Sequence, residues 1–98
     1  MNEQNKGKKY DGGKLRYDLL PPEALKAVVE VLTFGAQKYG DHNWKLVENA
    51  SSRYYAALMR HVEAWRTGET LDSETGISHL AHATCCLFFL LGLEEKSK

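Results

Sequence analysis

Three of the four histidines in this 98-residue chain, His61, His79 and His82, fall between Ser51 and Glu95, and Glu63, Glu69, Asp72 and Glu74 crowd the same stretch. Imidazole and carboxylate groups are the usual ligands of divalent cations where cysteine is not used. His79 and His82 stand three apart, a spacing that places two side chains on one helical face. Cys86 continues that stripe, and Asp72 joins it one to two turns earlier if the helix reaches back that far. An antiparallel neighbour carrying His61 can face it. Ionisable groups on the inward side of an apolar hairpin are costly to bury unless they are partnered. Cations held there could clamp phosphates, polarise a phosphorus centre and lower the pKa of an attacking water. Arg53, Arg60, Lys14 or Arg16 would then neutralise the remaining phosphate charge. The same imidazoles would serve equally as hydrogen-bonded core residues, and spacing alone leaves both readings open. The chain has no H-E-x-x-H, no adjacent His-Asp pair, no nucleophile elbow and no P-loop.

The elements that must position these groups read as helices. Leu25, Val28, Val29 and Leu32 recur at helical spacing after Pro21-Pro22, predicting a helix from about 22 to 33 that continues as far as Lys38, with Gly35 and Gly40 interrupting it. Tyr54, Ala57, Leu58, His61, Ala64 and Trp65 predict a second helix over 51–67, capped by Asn49 or Ser51 and ended by Gly68. Ala57 and Ala64 flank His61 and leave room beside it for a bulky group or a close helix. A third helix is predicted over 73–93, capped by Asp72 or Ser73 with Glu74 in its first turn. Its last turns, CLFFLLGL, are apolar nearly all round, which calls for burial on several sides. The expected fold class is therefore all-α: a small bundle with a central antiparallel hairpin, a preceding helix and an N-terminal arm, completed by oligomerisation as a homodimer or homotetramer. Residues 1–9 and 95–98 read as flexible tails of a single 1–98 domain. In the arm, Gly12-Gly13 permits a tight turn, and Lys14 and Arg16 either meet phosphates or lie solvated. The link FGAQKYGDHNW holds Phe34, Tyr39 and Trp44, which either wall a pocket for a flat ring or cap the core.

Composition excludes several classes. Thirteen basic and thirteen acidic residues cancel, so there is no electrostatic footprint for duplex nucleic acid. The longest apolar run, Ala81–Leu93, holds His82, Thr84 and two cysteines and is too short to span a bilayer. The polar N-terminus, MNEQNKGKKYDGGK, has no apolar core of a secretory signal, and the expected location is the cytoplasm. Cys85 and Cys86 are adjacent, point about 100° apart on a helix, and read as reduced, mainly apolar residues.

The segments KYDGGKLRYDLLPPEAL, FGAQKYGDHNW, RYYAALMRH and GETLDSETGISHLAHA together resemble, over nearly the whole chain, the phage and bacterial domain described as a dATP/dGTP diphosphohydrolase. That domain looks like a divergent branch of the MazG-like all-α nucleoside triphosphate pyrophosphohydrolases. Familiar members of the wider superfamily carry E-x-x-E and E-x-x-D on neighbouring helices and bind magnesium or manganese. Here His79 and His82 occupy the second pair and His61 stands near the first, so Glu63, Glu69, Asp72 and Glu74 are the carboxylates that compensate. The resemblance implies Mg2+- or Mn2+-dependent hydrolysis of purine deoxynucleoside triphosphates between the α and β phosphates. It implies Asp72, His79, His82, His61 and Glu69 as ligands or their supports, with Asp72, His79 and Glu69 acting in catalysis. It further implies Lys14, Arg16, Lys38, Arg53 and Arg60 on phosphates and Tyr39, Trp44 or Tyr54 on the base. A phosphohydrolase of other bond specificity and a non-enzymatic nucleotide-binding or oligomeric module are the competing expectations.

Overall fold

The paired prolines end the N-terminal arm and start the first helix. The computed structural model describes residues 6–96, so the tail expectations for 1–5 and 97–98 lie outside the described residues. The arm is exposed; it makes a tight turn at Gly12-Gly13, with Gly13 at φ 80°, and a short 3-10 turn at Tyr17–Leu19. Helix α1 then spans Pro22–Tyr39, with proline in its first turn and Gly40 at φ 98° closing it. The expected break at Gly35 does not occur. A single interior glycine costs about 1 kcal/mol relative to alanine, less than the apolar contacts of the surrounding turns restore.

Helix α2 spans Ala50–Arg66, one residue from the expected bounds at each end. Asn49 occupies the capping position but makes no side-chain cap bond; its backbone is left-handed at φ 55°. At the other end Gly68 adopts φ 105°, its N–H bonding to Trp65 O while Glu69 N–H bonds to Ala64 O. That pair of bonds is a Schellman closure, and it folds Glu69 back toward the helix end.

The third helix begins later than expected: α3 spans His79–Lys96. Asp72 does not cap it. Asp72 Oδ1 instead accepts the N–H groups of Glu74 and Thr75, both at 2.9 Å, and so closes a tight turn. Such side-chain bonds compete with helix formation, and Gly76 at φ 72° completes the reversal. Residues 70–79 form a miniature antiparallel ladder, with Asp72 N–H bonding to Ile77 O, His79 N–H bonding to Thr70 O and a bridge between Leu71 and Ser78. Ser78 is the capping residue, its Oγ accepting Leu80 N–H at 3.1 Å. The expected tail at Glu95 and Lys96 is helical.

The hairpin is antiparallel. His61 meets His82, and seven residues earlier Tyr54 meets Phe89, seven residues later. Against its other side α3 packs α1 through Val28, Ala81 and Cys85, flanked by Ala27, Val31, Ile77 and Phe89. The Cys85 thiol donates to Val28 O at 3.4 Å, and burial pushes its pKa up to about 12. It is thus a core group and not a nucleophile at neutral pH. The small side chains Ala81, Ala83, Cys85 and Cys86 let the neighbouring helices approach α3 closely. Among the described residues the architecture is all-α: three α-helices, with α3 the shared element.

Candidate metal centre

The connection between α2 and α3 sets the site. Because it folds back on itself and is pinned by the ladder, the end of α2 and the start of α3 lie side by side, with the Asp72 turn next to them. His61 Nδ1 is 2.8 Å from His79 Nδ1. The His61 ring stacks on that of His82, with centroids 4.7 Å apart and planes 13° from parallel. One ligand-type atom from each of His61, Asp72 and His79 lies within 4.8 Å of the others. His79 is buried, while His61 and Asp72 are half-buried, so the cluster is reachable from outside.

Hydrogen-bond supply and demand explain how these groups are held. Asp72 Oδ1 takes the two turn N–H groups and stands 3.2 Å from Thr75 Oγ1. Thr75 Oγ1 also accepts Ile77 N–H and lies 2.8 Å from His82 Nε2. A hydroxyl has one proton and two lone pairs. The arrangement that satisfies all three contacts has Thr75 donating to Asp72 while accepting from Ile77 N–H and from a protonated His82 Nε2. Asp72 thus has one oxygen anchored in the turn. Burial alone would raise its pKa, but the N–H groups of Thr75 and Glu74 and the nearby His82 outweigh it and hold the carboxyl below the usual range. Burial, with the neighbouring imidazoles, lowers the pKa of His61; burial also lowers that of His82 against the pull of Asp72. Both therefore favour the neutral form that binds cations.

His79 Nε2 is buried and has no hydrogen-bond partner among the described residues. Glu69 Oε1 is 3.4 Å away, but too poorly aligned to bond. A buried polar atom left in this state is costly. Two nitrogens bound at about 2.1 Å to one ion and at right angles would sit ~3 Å apart, close to the observed His61–His79 separation. The nitrogen and oxygen donors present therefore fit a divalent cation. His82 belongs to the cluster, but its Nε2 is engaged by Thr75, 3.9 Å from Asp72 Oδ1.

The other expected site residues divide. Glu69 arrives through the Schellman closure. Lys38 reaches the rim, paired with Glu74 at 2.8 Å, and sits over the ring of Tyr39 at 5.1 Å. The positive charge of Arg60 bears on both His61 and Cys86. Arg16 is taken up by Asp18 in a two-pronged contact of 2.8 and 2.7 Å, and Lys14 stands exposed on the arm. Arg53 donates to Glu48 O at 3.3 Å, and Glu63 pairs with Arg66. Trp44 and Tyr54 both meet Phe89, with centroids at 5.4 and 4.9 Å, two turns along α3 from His82. They pack on the helix there, apart from the histidine cluster. Sequence reasoning missed Thr75 and Ser78. The D-x-x-T spacing ahead of Gly76 was the available signal, since Asp and Thr side chains favour such local turns.

Fold and site together define a small all-α domain with a histidine–aspartate cluster at one end of its helical hairpin. The chain belongs to the family described as dATP/dGTP diphosphohydrolase, N-terminal, whose profile matches residues 4–98. It is also 38% identical over 87 residues to a protein of Salmonella phage PMBT28 named dATP/dGTP diphosphohydrolase, a match covering 89% of this chain and 29% of that relative. The chain thus spans less than a third of the relative's length. No solved structure gives a significant match.

Proposed function

We propose that this domain binds a divalent cation through His61, Asp72 and His79 and hydrolyses purine deoxynucleoside triphosphates, dATP or dGTP, to the monophosphate and pyrophosphate. The observation that carries the reading is the convergence of these three donors, with His61 and His79 facing each other through their Nδ1 atoms, in a chain whose relative is named for this activity. Of Mg2+ and Mn2+, the imidazole-rich donor set favours Mn2+, because magnesium prefers oxygen ligands. When bound, the ion supplies charge neutralisation on the phosphates and acidifies a water.

The chain's own groups do the remaining work. Asp72 is held ionised by its turn. His61 and His82 stay neutral and stacked. The half-exposed Glu69 carboxylate, 3.4 Å from His79 Nε2, would accept a proton from the attacking water. Arg60 acts electrostatically on His61, and Lys38, paired with Glu74 next to the Asp72 turn, would exchange Glu74 for a phosphate. Incubating the protein with Mn2+ and dGTP or dATP should release pyrophosphate and the deoxynucleoside monophosphate together. Orthophosphate with the diphosphate, or tripolyphosphate with the free deoxynucleoside, would overturn the assigned bond.

A further inference from the structure

One ion pair ties the end of α1 to the Asp72 turn. Lys38 Nζ lies 2.8 Å from Glu74 Oε2, across 36 positions of sequence. The pairs Arg16–Asp18 and Arg66–Glu63, by contrast, join residues two and three apart. Both side chains of the long-range pair face solvent, Lys38 at 40% and Glu74 at 58% exposure. An exposed pair adds little to stability, so exchanging its anion for another costs the fold little. The two partners are anchored differently. Glu74 N–H bonds to Asp72 Oδ1 at 2.9 Å, and the next N–H, that of Thr75, goes to the same oxygen. The Glu74 backbone is thus fixed to a residue of the histidine–aspartate cluster, while its carboxylate is free to turn. Its charge also reaches His82 in that cluster, where it opposes the downward pull of burial on the imidazole pKa.

Lys38 has supports that do not depend on Glu74. It stands in the last turn of α1, which Gly40 closes with its N–H on Ala36 O at 2.7 Å. Its Nζ lies 5.1 Å from the centre of the Tyr39 ring. A helix C-terminus and an aromatic face both favour a cation, so the ammonium keeps its place when the carboxylate leaves. A carboxylate brings one negative charge to it. A phosphate group brings roughly −1.5 to −2 at neutral pH, with three acceptor oxygens, and so displaces the carboxylate. The displaced Glu74 stays close, tethered by its backbone, and competes for Lys38 at the high effective concentration of an intramolecular group.

Resting on the phosphohydrolase reading above, we propose that Glu74 is a built-in competitor for a phosphate subsite at Lys38. Its carboxylate holds the ammonium in the free protein, yields it to a substrate phosphate, and reclaims it to expel pyrophosphate. A titration of the metal-free protein with pyrophosphate, followed by NMR, tests this without turnover. The perturbed amides should include residues 38–40 and 74–75; perturbations confined to other residues overturn the proposal. Glu74→Gln should lower the pyrophosphate Kd about two- to fivefold, the factor an exposed ion pair can supply, and Lys38→Met should raise it. The double variant decides. It should bind no more tightly than Lys38→Met alone, because the carboxylate has nothing left to compete for. An unchanged Kd in Glu74→Gln overturns the proposal. So does an equal gain from Glu74→Gln in the Lys38→Met background, which marks simple charge repulsion. If Lys38→Met loses its far-ultraviolet helical signal, Lys38→Gln takes its place. Failure of the hydrolysis reading shows separately, as wild-type protein that releases no pyrophosphate from dGTP or dATP with Mn2+.

Discussion

His61 Nδ1 and His79 Nδ1 lie 2.8 Å apart across the hairpin. Only one can carry a proton between them, and the other presents a lone pair; a cation could use both. Asp72 stands within 4.8 Å of the pair. Mn2+ should therefore raise the melting midpoint of the wild-type protein. A ligand at a hundred times its Kd adds about 2.7 kcal/mol, and each kcal/mol moves the midpoint of a domain this size by ~4–8 °C. His61→Ala and His79→Ala should each abolish the shift, measured by calorimetry with and without metal. A wild-type midpoint indifferent to Mn2+ would remove the cation from the proposed function.

Thr75 joins the Asp72 turn to α3 through a single hydroxyl. Thr75→Val keeps the shape but leaves Ile77 N–H and His82 Nε2 without their acceptor and takes a donor from Asp72. Unpartnered polar groups in such a place cost about 1–3 kcal/mol. The variant should melt lower and bind Mn2+ more weakly, because Asp72 and the His82–His61 stack lose their common anchor. Thr75→Ser should restore both properties. Titration calorimetry with Mn2+ on the three proteins is the check, and equal affinity in Thr75→Val would show that the hydroxyl does not hold the site.

Much of this was legible in the residue order. Pro21-Pro22 and the Leu25, Val28, Val29, Leu32 spacing fixed α1, and Gly40 and Gly68 ended α1 and α2 as glycines do. The meeting of His61 with His79 and His82 followed from an i, i+3 pair on one arm of an antiparallel hairpin. The start of α3 was not legible, because Asp72 is equally suited to capping a helix and to closing a turn. Gly76, needing a left-handed backbone, decided for the turn and moved the cap to Ser78. Nor could the sequence place the aromatics. Trp44 and Tyr54 meet Phe89 only through the crossing of separate elements, which periodicity within one element does not report.

Trp44 lies against the backbone of α3 at Gly92. A Cβ built there would come within 2.6 Å of one indole carbon and 3.2 Å of a second. In an open helix, glycine to alanine stabilises by about 1 kcal/mol. Here the indole would have to leave its stack on Phe89, and Trp44 is set by the short turn Asn43–Leu46. Overpacking of this kind costs about 1–3 kcal/mol, so the clash outweighs the propensity gain. Gly92→Ala should lower stability in urea denaturation and shift the tryptophan emission. Higher stability with unchanged emission would show that the ring moves aside freely.

Protonation should act against the fold before any carboxylate does. His61 and His82 have native pKa values lowered from 6.5, chiefly by burial. Between the native and unfolded values the unfolded chain holds more protons, so stability rises with pH through that window and falls as the solution is acidified below about 6.5. Asp72, lowered from 3.8, acts in the same sense in a separate window: its contribution is present above 3.8 and lost as pH falls through its native value. A charge on either ring faces the other at 4.7 Å, so protonating one imidazole disfavours protonating the second in the native state. In chelator, the melting midpoint should fall between about pH 7 and about pH 5. His61→Gln combined with His82→Gln should be less stable at neutral pH but flatter over that range. A wild-type midpoint constant across it would mean that the imidazoles take up protons in the native state as readily as in the unfolded chain.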